Sequence, residues 1–494
     1  MHTVLAHNLE RQSAIEPCEL GPSDRLIPVI VDVDGTLLLT DLLHETFFRT
    51  MGVRPLSIVD LLRSLLKGKA RLKAALANLT TVEPATLPYD PEVRAVIDRA
   101  KMQGRKVYLA SAGNEGLIEK IAQYVGADGW FASSDVENLS GARKANLLVG
   151  EFGDRNFDYI GNSSSDLAVW MHARKAIVAG GSVRIAGELK RQNIAAELLA
   201  STRPGLRDWL RLLRLHQYVK NLLVFVPPLA AHALHFDTLV RSTIAFIAFC
   251  LCASTVYLEN DLIDINADRA HPTKKNRPLA SGRIKPQQAI VAAPILLVAS
   301  FALALSLSVR FAAVLAIYLL LTSAYSLFIK RKMIADVVTL ALLYSIRVVG
   351  GAVANDLLLS EWLLAFSLFV FTSLALVKRF TELTVHVDNN SRGPSNRNYI
   401  ASDLPIIAVL AAASAFNSIT VFTLYISSDA VRTLYVHPEV LWLACPILAY
   451  WLARLIVLAN RRLVADDPIV FAFKDWNSWL VGGLILSLML IASI

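Results

Sequence analysis

The second half of the chain contains a series of apolar segments, most of them close to the roughly 20 residues that a helix needs to cross a bilayer. Hydrophobic residues make up 54% of the 494-residue sequence, which is too apolar for a soluble protein of this length. We therefore predict that residues 219–494 form an all-α polytopic membrane domain of nine transmembrane helices. The first segment is short and contains Pro227 and Pro228, so we expect it to be kinked or partly re-entrant. The segments lie at about 219–234, 238–259, 288–308, 311–329, 334–354, 361–377, 404–426, 438–459 and 477–493.

Lysine and arginine are concentrated in every second loop between these segments. Because cytoplasmic loops carry an excess of these residues, we predict a multi-pass protein of the inner (plasma) membrane with its basic loops and N-terminal part in the cytoplasm. The N-terminal residues contain no apolar signal core that would direct them across the membrane. The basic loops contain Arg269, Lys274, Lys275, Arg277, Arg283, Lys285, Lys330, Arg331, Lys332, Lys378, Arg379, Arg392, Arg397, Arg461, Arg462 and Lys474, whereas the alternate loops contain only Arg310 and Arg432 as basic residues.

An acidic stretch, N-D-L-I-D-I-N-A-D, follows the second apolar segment. Asp261, Asp264 and Asp268 have the spacing i, i+3 and i+7, which places them on one face of a helix. Asn260 joins that face because it precedes Asp264 by four residues. Carboxylates at the end of an apolar helix are costly near a bilayer and are usually functional and paired. Hard oxygen ligands of this kind suit Mg²⁺, which bridges to substrate phosphates, so we predict a magnesium site here.

A basic stretch comes directly after the acidic one. It contains Lys274, Lys275, Arg277 and Arg283, which are suited to bind the phosphates of a magnesium-bound substrate. The net charge of +8 is attributed to membrane topology and phosphate binding, because the sequence resembles no nucleic-acid-binding module. The alternative interpretation is a solvated acidic helix end followed by an ordinary basic loop.

A short apolar run near the N-terminus, Ile27 to Val33, has the length and composition of a buried strand. It runs into D-V-D-G-T, so that Asp32 and Asp34 stand at its carboxyl end, where ligands bind in α/β sheets. This motif resembles that of the haloacid dehalogenase (HAD) phosphatase superfamily. The resemblance implies that Asp32 is a nucleophile that forms an aspartyl-phosphate and that Asp34 is the general acid and base.

Three further motifs follow in the order of that superfamily. The resemblance implies that Ser111 binds the phosphoryl group, that Lys144 neutralises nucleophile and phosphate charge, and that Mg²⁺ binds at Asp32 and Asp166. In the stretch G-N-S-S-S-D, Asn162 stands where the superfamily usually has a carboxylate, so Asp166 must provide more of the metal affinity. A HAD scaffold that has lost activity is the alternative.

Residues 1–200 are therefore predicted to form an α/β HAD-like (Rossmannoid) domain. Residues 41–90, with leucine and isoleucine at helical spacing, are expected to form a small helical cap. Residues 201–218 are predicted to be a basic amphipathic linker that lies on an anionic membrane surface, with an ordinary solvated helix as the alternative. Two further strands are expected at Lys106–Ala110 and Phe157–Ile160.

The membrane part resembles the UbiA prenyltransferase superfamily, because it combines N-D-x-x-D-x-x-x-D and H-P-x-K-x-x-R-P with nine apolar segments. In that superfamily two acidic boxes bind Mg²⁺ on a diphosphate substrate. The second box usually contains two aspartates, but here Asp336 is alone and Leu340 stands where a second acid would be. This departure implies a subfamily with a different substrate.

Within that superfamily, the motifs resemble those of the decaprenyl-phosphate phosphoribosyltransferases. The shared motifs are R-L-H-Q-Y-V-K-N, Y-S-x-x-x-K, R-x-x-x-G, K-R-x-x-E-L and a late D-P-x-x-F. The resemblance implies Mg-dependent transfer of phosphoribose from phosphoribosyl pyrophosphate to a polyprenyl phosphate. The implied substrate ligands are Lys220, Asn221, Lys274, Arg277, Tyr325, Lys330, Asp336, Arg347, Lys378 and Arg379.

Two motif sets on one chain suggest two consecutive reactions, in which the HAD domain removes the 5-phosphate of the lipid product. One alternative is an aromatic prenyltransferase of the 4-hydroxybenzoate type, which would use a prenyl diphosphate as donor. Another is a transporter or lipid-binding membrane protein. The clustering of charged residues on the predicted cytoplasmic side disfavours a transporter, because a path across the membrane needs polar groups along its length.

Overall fold

The structure is a computed structural model that describes residues 27–53, 76, 82–133, 139–200, 204–388, 398–464 and 467–494. The chain divides into two compact units, each made of two stretches of sequence. The first unit comprises Met1–Asp208 and Asp261–Pro286. The second comprises Trp209–Asn260 and Gln287–Ile494.

The first unit is built on a six-stranded parallel β-sheet with the strand order β3-β2-β1-β4-β5-β6. The chain progresses outward from β1 in one direction and then from β4 in the other, which is a doubly wound arrangement with its switch point between β1 and β4. This order confirms the predicted α/β Rossmannoid fold. The strands are β1 (Val29–Asp32), β2 (Val107–Asn114), β3 (Gly129–Ser133), β4 (Asp158–Gly161), β5 (Lys175–Val178) and β6 (Ala196–Leu198).

Helices follow the strands, and apolar side chains cover both faces of the sheet. Successive residues of β1 enter different apolar clusters, since Val29 and Val31 belong to one and Ile30 to the other. Such burial on both faces explains why β1 is apolar up to Asp32, its last residue. The helices are α1 (Leu42–Val53), α2 (Pro91–Met102), α3 (Glu115–Val125), α4 (Ala142–Phe152), α5 (Leu167–Trp170) and α6 (Val183–Arg191).

The predicted strands are present with shifted ends. The strand predicted at Lys106–Ala110 continues to Asn114, and the one predicted at Phe157–Ile160 runs from Asp158 to Gly161. In the stretch predicted to form a helical cap, the structure contains α1 and a 3₁₀ turn at Pro84–Thr86. Residues 54–75 and 77–81 lie outside the described residues, so the cap stays a prediction.

The remainder of the described chain is helical. Eight of its helices, α9, α11–α15, α17 and α19, are long and apolar enough to cross a membrane, and they confirm the predicted all-α polytopic domain. The helices are α7 (Leu206–Leu212), α8 (Val226–Ala230), α9 (Phe236–Ile263), α10 (Ile265–Ala270), α11 (Pro286–Leu307), α12 (Val309–Leu327), α13 (Ala335–Ala354), α14 (Glu361–Asp388), α15 (Leu404–Ile426), α16 (Asp429–Leu434), α17 (Ala444–Asn460), α18 (Pro468–Lys474) and α19 (Trp476–Ser493).

The first of the nine predicted spans differs from the prediction. Instead of one membrane-length helix, this stretch contains a 3₁₀ segment at Leu215–Phe225 followed by the five-residue helix α8. Pro227 and Pro228 lack the N–H groups that a continuous helix would bond to the preceding turn, so the helix restarts at the prolines. The broken geometry agrees with the expectation of a kinked segment, while the count of membrane-length helices in the described chain is eight.

The loop that carries the acidic box belongs to the same compact unit as the N-terminal sheet. Its helix α10 packs against α1 and against the 3₁₀ turn at Pro84–Thr86. The domain boundaries proposed from the sequence, 1–200, 201–218 and 219–494, follow chain order and therefore assign this loop to the membrane domain. Of the predicted linker, the structure contains α7, while Arg203 lies outside the described residues.

Within the second unit, Gly351 allows a close approach between α13 and the segment Leu215–Phe225. A Cβ at Gly351 would overlap the carbonyl oxygen of Val224. The approach brings Asn221 to Arg347, whose Nε donates to Asn221 Oδ1 at 2.7 Å. By contrast, a Cβ at Gly482 in α19 would meet no neighbouring atom within 4 Å.

We predict that Gly351→Ala destabilises the protein by about 1–3 kcal/mol, because the added methyl group overpacks this contact. Gly482→Ala is the matched control, since it makes the same change in another apolar helix with open space. The measurement is the thermal unfolding midpoint of each full-length variant in detergent. Equal midpoints for the two variants would contradict the close approach.

Candidate functional site

Asp32 lies at the carboxyl end of β1 and is paired with a buried lysine. Lys144 Nζ, on α4, lies 2.7 Å from Asp32 Oδ1, and Thr36 Oγ1 donates to Asp32 Oδ2 at 2.9 Å. Burial raises the pKa of Asp32 to about 7, and the Lys144 amine opposes this rise. A carboxylate that is oriented by fixed donors on both oxygens suits the role of nucleophile predicted for Asp32.

Asp34 lies beside Ser111, as the motif order predicts. Ser111 Oγ donates to Asp34 Oδ2 at 3.0 Å, and the backbone N–H of Gly113 donates to Ser111 Oγ at 2.9 Å. The backbone N–H of Leu42, the first residue of α1, donates to Asp34 Oδ1 at 2.8 Å. The segment after β1, strand β2 and helix α1 therefore meet at the carboxyl edge of the sheet, where ligands of doubly wound sheets bind.

Asp166 joins the same cluster through Lys144 and a buried tyrosine. Lys144 Nζ lies 3.6 Å from Asp166 Oδ1, and Tyr159 Oη accepts from Lys144 at 3.0 Å while it donates to Asp166 Oδ1 at 2.8 Å. The other oxygen of Asp166 accepts from the backbone N–H groups of Asn162 and Ser163 at 3.1 and 3.0 Å. The predicted residues at the carboxyl ends of β1, β2 and β4 are thus brought together.

Two features of this cluster were not predicted. From the sequence, Tyr159 was assigned only to the strand Phe157–Ile160. Its hydroxyl group, close to the carboxyl end of that strand, could have indicated a site residue. Asn162, predicted to weaken metal binding, donates from Nδ2 to the carbonyl oxygen of Gly35 at 2.6 Å. Gly35 has a φ of 75°, and a Cβ there would collide with Asn162, so the turn requires glycine.

The acidic box spans the junction between α9 and α10. Helix α9 ends at Ile263 and Asp264 occupies the N-cap position of α10, so the continuous helix expected from the spacing is interrupted. Arg277 Nη1 lies 3.0 Å from Asp261 Oδ1 and 2.6 Å from Asp268 Oδ2. Asp261 and Asp268 therefore face a common point, despite the interruption at Asp264.

The oxygens around Arg277 form a donor set that suits Mg²⁺ bound to a diphosphate. Magnesium usually takes one or two protein carboxylates together with substrate phosphates and water, and Asp261 and Asp268 supply two. Across the described ranges, no group of three or more His, Cys, Asp or Glu side chains is arranged to bind a metal by itself. Both amide atoms of Asn266, in α10, are buried without a hydrogen-bond partner. Oxygens of water or of a bound phosphate would complete the coordination of a metal at this point.

In the second unit, two of the predicted cations share one buried carboxylate. Lys220 Nζ and Lys378 Nζ lie 2.7 and 2.9 Å from Asp467 Oδ2, and Tyr344 Oη donates to the same oxygen at 3.2 Å. From the sequence, Asp467 was recognised only as the first residue of the late D-P-x-x-F motif, and its contact with the two lysines was not predicted. Two lysines on one carboxylate leave net positive charge, which suits an anionic ligand such as a phosphate.

Arg347 is buried, with its donors directed at protein groups. Nε donates to Asn221 Oδ1 at 2.7 Å, Nη2 donates to Tyr318 Oη at 2.9 Å, and Nη1 donates to the Leu343 carbonyl. The guanidinium also lies 4.8 Å from the centroid of the Tyr318 ring. These contacts indicate that Arg347 positions Asn221, which is the neighbour of Lys220 in sequence.

Asp336, the lone acid of the second box, is fully buried against a cation. Arg379 Nε lies 2.5 Å from Asp336 Oδ2, and Tyr399 Oη donates to Asp336 Oδ1 at 2.7 Å. Arg379 Nη2 in turn donates to Tyr325 Oη at 2.8 Å. Three predicted site residues, Asp336, Arg379 and Tyr325, thus form one buried network in which the Arg379 guanidinium neutralises the lone acid of the second box.

The other predicted residues lie outside these clusters. Lys274 is exposed in the 3₁₀ turn Lys274–Asn276, and Lys330 is partly buried in the 3₁₀ turn Ile329–Arg331. Asn260 Nδ2 donates to Ser326 Oγ at 3.0 Å, which joins the N-D-x-x-D motif to the Y-S-x-x-x-K motif. The ligand roles of these residues stay predictions.

Comparison with known proteins identifies the membrane part. The model of the UbiA prenyltransferase family matches residues 222–479, which is just over half of the chain. The chain belongs to the UbiA prenyltransferase family. As a UbiA-family protein with eight membrane-length helices in its described part, it is an integral membrane protein, as the apolar segments predicted.

This UbiA-family chain is similar to several curated proteins. Protein y4nM of Sinorhizobium fredii is 37% identical over 487 residues, covering 98% of this chain and 94% of that protein. The nodulation protein NoeC of Azorhizobium caulinodans is 30% identical over 268 residues, covering 54% and 86%. The decaprenyl-phosphate phosphoribosyltransferase of Mycolicibacterium smegmatis is 35% identical over 227 residues, covering 45% and 68%. The similarity to y4nM thus extends over both units.

For the N-terminal cluster, we predict that Lys144→Met lowers the rate of p-nitrophenyl phosphate hydrolysis by on the order of 100-fold or more. Without the amine, the carboxylates of Asp32 and Asp166 face each other without a cation, and the pKa of Asp32 rises further. The control is Lys175→Met, which removes a half-exposed pair with Glu197. Equal rates for the two variants would contradict the assigned role of Lys144.

For the membrane cluster, we predict that Asp467→Asn destabilises the protein by about 3–5 kcal/mol, because Lys220 and Lys378 lose their buried counterion. Asp388→Asn, which breaks an exposed pair with Arg462, should cost much less, because water screens the attraction between exposed charges. Thermal unfolding of both full-length variants in detergent is the measurement. If Asp467→Asn destabilises the protein no more than Asp388→Asn does, the two lysines do not depend on the Asp467 carboxylate.

Proposed function

We propose that this protein transfers phosphoribose from phosphoribosyl pyrophosphate to a polyprenyl phosphate, with Mg²⁺ at the acidic box. The observation that carries the proposal is the shared contact of Asp261 and Asp268 with Arg277, which together suit a magnesium-bound pyrophosphate leaving group. Similarity to the decaprenyl-phosphate phosphoribosyltransferase of M. smegmatis supports this donor and acceptor.

In the proposed transfer, an oxygen of the lipid phosphate attacks C1 of the ribose while the bond between C1 and the pyrophosphate oxygen breaks. Mg²⁺ bound at the acidic box supplies charge stabilisation for the departing pyrophosphate. Asp261 and Asp268 are assigned to the metal, while the ligand role of Asp264, at the N-cap position of α10, rests on the motif alone. Arg277 then exchanges its two carboxylate contacts for diphosphate oxygens, and Lys274 adds a second cation from the same loop.

The cations of the second unit are assigned to the other phosphates of the substrates. Lys220 and Lys378 share a single negative charge on Asp467, so they retain attraction for a lipid phosphate or for the 5-phosphate of the donor. Lys378 is the more exposed of the two, with 24% of its side chain accessible against 10% for Lys220. We therefore assign direct phosphate contact to Lys378 first.

We assign removal of the 5-phosphate from the lipid product to the N-terminal domain. Asp32 attacks the phosphorus to form an aspartyl-phosphate, while Asp34 protonates the departing ribose oxygen. Asp34 then takes a proton from water as the water releases inorganic phosphate. Ser111 and Lys144 bind phosphoryl oxygens, and Asp166 is the second metal ligand. Because one chain carries both activities, the effective concentration of the lipid product at the phosphatase site is raised. We propose that both active sites face the cytoplasmic side of the inner membrane.

The experiment uses purified full-length protein, a polyprenyl phosphate and phosphoribosyl pyrophosphate labelled separately in the ribose and in the 5-phosphate. Wild-type protein should place the ribose label in lipid and release the 5-phosphate label as inorganic phosphate. Asp32→Asn should leave both labels in lipid, and Asp261→Asn should reduce ribose transfer by at least about 100-fold.

The outcomes separate the two halves of the proposal. If the lipid product loses its 5-phosphate label equally with wild-type protein and with Asp32→Asn, only the phosphatase assignment is contradicted. Failure to label lipid, combined with prenylation of 4-hydroxybenzoate from a prenyl diphosphate, would instead identify an aromatic prenyltransferase.

A further inference from the structure

Arg269 lies in the middle of the acidic-box loop and is buried in a two-point ion pair with Glu45 of the N-terminal sheet domain. Arg269 Nη1 lies 2.5 Å from Glu45 Oε2, and Arg269 Nη2 donates to Glu45 Oε1 at 2.9 Å. The two side chains are 3% and 0% exposed. A parallel two-point contact fixes the orientation of both groups and not only their distance.

Glu45 is itself connected to the turn that carries the D-V-D-G-T motif. Thr40 Oγ1 donates to Glu45 Oε1 at 2.5 Å, and the carbonyl oxygen of Thr40 accepts from the N–H of Gly35 at 2.9 Å. Glu45 also lies in the first turn of α1, whose first residue, Leu42, donates to Asp34. The partner of Arg269 is therefore held by the same turn and helix that hold Asp34.

Arg269 is equally connected to the predicted pyrophosphate site. It follows Asp268 directly in α10, and its Nε donates to the carbonyl oxygen of Ala280 at 2.9 Å, near the far end of the loop. Asp268 shares Arg277 with Asp261. The Arg269 side chain thus joins both ends of the stretch 268–280, and Arg277 lies within that stretch.

A second contact joins the same two parts of the unit. Gly282 has a φ of 75°, and a Cβ there would lie 2.8 Å from Leu39 Cβ and 3.1 Å from Pro88 Cβ. Leu39 and Pro88 are themselves hydrogen-bonded through their backbones at 2.9 Å. The loop therefore meets the sheet domain by a polar contact at Arg269 and by close backbone packing at Gly282.

We propose that Glu45 and Arg269 are positioning residues of the transferase, through which the HAD-like domain holds the acidic box in its magnesium-binding arrangement. This inference rests on the proposed function of the acidic box. The pair touches neither metal nor substrate and acts through Asp268 and the backbone at Ala280. The HAD-like domain then has a structural role in transfer that is separate from its own chemistry, so loss of Asp32 and loss of Glu45 have different consequences.

The test compares Glu45→Gln with Glu197→Gln in full-length protein. Both substitutions neutralise a glutamate in an ion pair of the first unit, but the Lys175–Glu197 pair is half exposed. Loss of a group that orients a metal ligand typically costs 10–100-fold in metal affinity or activity. We expect Glu45→Gln to raise the Mg²⁺ concentration for half-maximal ribose transfer by about tenfold or more, and Glu197→Gln to leave it unchanged.

A second readout does not depend on turnover. We expect hydrogen exchange of the peptide that spans residues 261–286 to be slowed by Mg²⁺ with pyrophosphate in wild type, and this protection to be lost in Glu45→Gln at the same ligand concentrations. If Glu45→Gln does not accumulate as folded protein, Thr40→Val removes one donor to Glu45 and should shift both readouts in the same direction by a smaller factor. The double variant Glu45→Gln with Arg269→Gln should lose less than the sum of the single variants, because the two residues act as a pair.

The results distinguish this inference from the proposed function. The wild-type protein could transfer no phosphoribose and still show slower hydrogen exchange at residues 261–286 that is lost in Glu45→Gln. That result would overturn the donor assignment and support the positioning role. Wild type that transfers phosphoribose, with Glu45→Gln matching Glu197→Gln in Mg²⁺ requirement and loop exchange, would overturn the positioning role. Additive losses in the double variant would also overturn it.

Discussion

The contact of Arg277 with both Asp261 and Asp268 is the interaction on which the account of this protein depends. Two buried carboxylates that face one point repel each other unless a cation lies between them. Burial raises the pKa of Asp268, and Arg277 opposes this rise. In the proposed function, Mg²⁺ would take the place of the guanidinium between the two carboxylates, and Arg277 would then bind phosphate oxygens.

The other buried charges are also offset by neighbouring groups of opposite charge. In the sheet domain, burial alone would lower the pKa of the Lys144 amine, but Asp32 and Asp166 outweigh it and raise that pKa. Around Asp467, burial would raise the carboxyl pKa, but Lys378 and Lys220 hold it well below its ordinary value. In each cluster, groups of opposite charge thus offset part of the cost of burying a charge.

Sequence alone predicted the features that depend on local pattern. Segment length and hydropathy located the eight long helices, and the D-V-D-G-T motif after an apolar run located the carboxyl edge of β1. The double prolines at Pro227 and Pro228 indicated a broken first segment. These predictions succeeded because periodicity, helix length and proline geometry are properties of neighbouring residues.

Contacts between residues distant in the chain were beyond that reasoning. Glu45 and Arg269 are separated by 224 positions, and Lys220 and Asp467 by 247, so no periodic signal joins them. The helix break at Asp264 was also missed, because the spacing of the acids fits a continuous helix equally well. Such pairings are set by tertiary packing between segments that are far apart in the sequence.

The most direct test of the central claim is an experimental structure of the full-length protein with Mn²⁺ in place of Mg²⁺ and with pyrophosphate. We predict a metal ion at roughly 2.0–2.2 Å from oxygens of both Asp261 and Asp268, with Arg277 moved onto the diphosphate. A metal–pyrophosphate complex bound elsewhere, with Arg277 still between the two carboxylates, would contradict it.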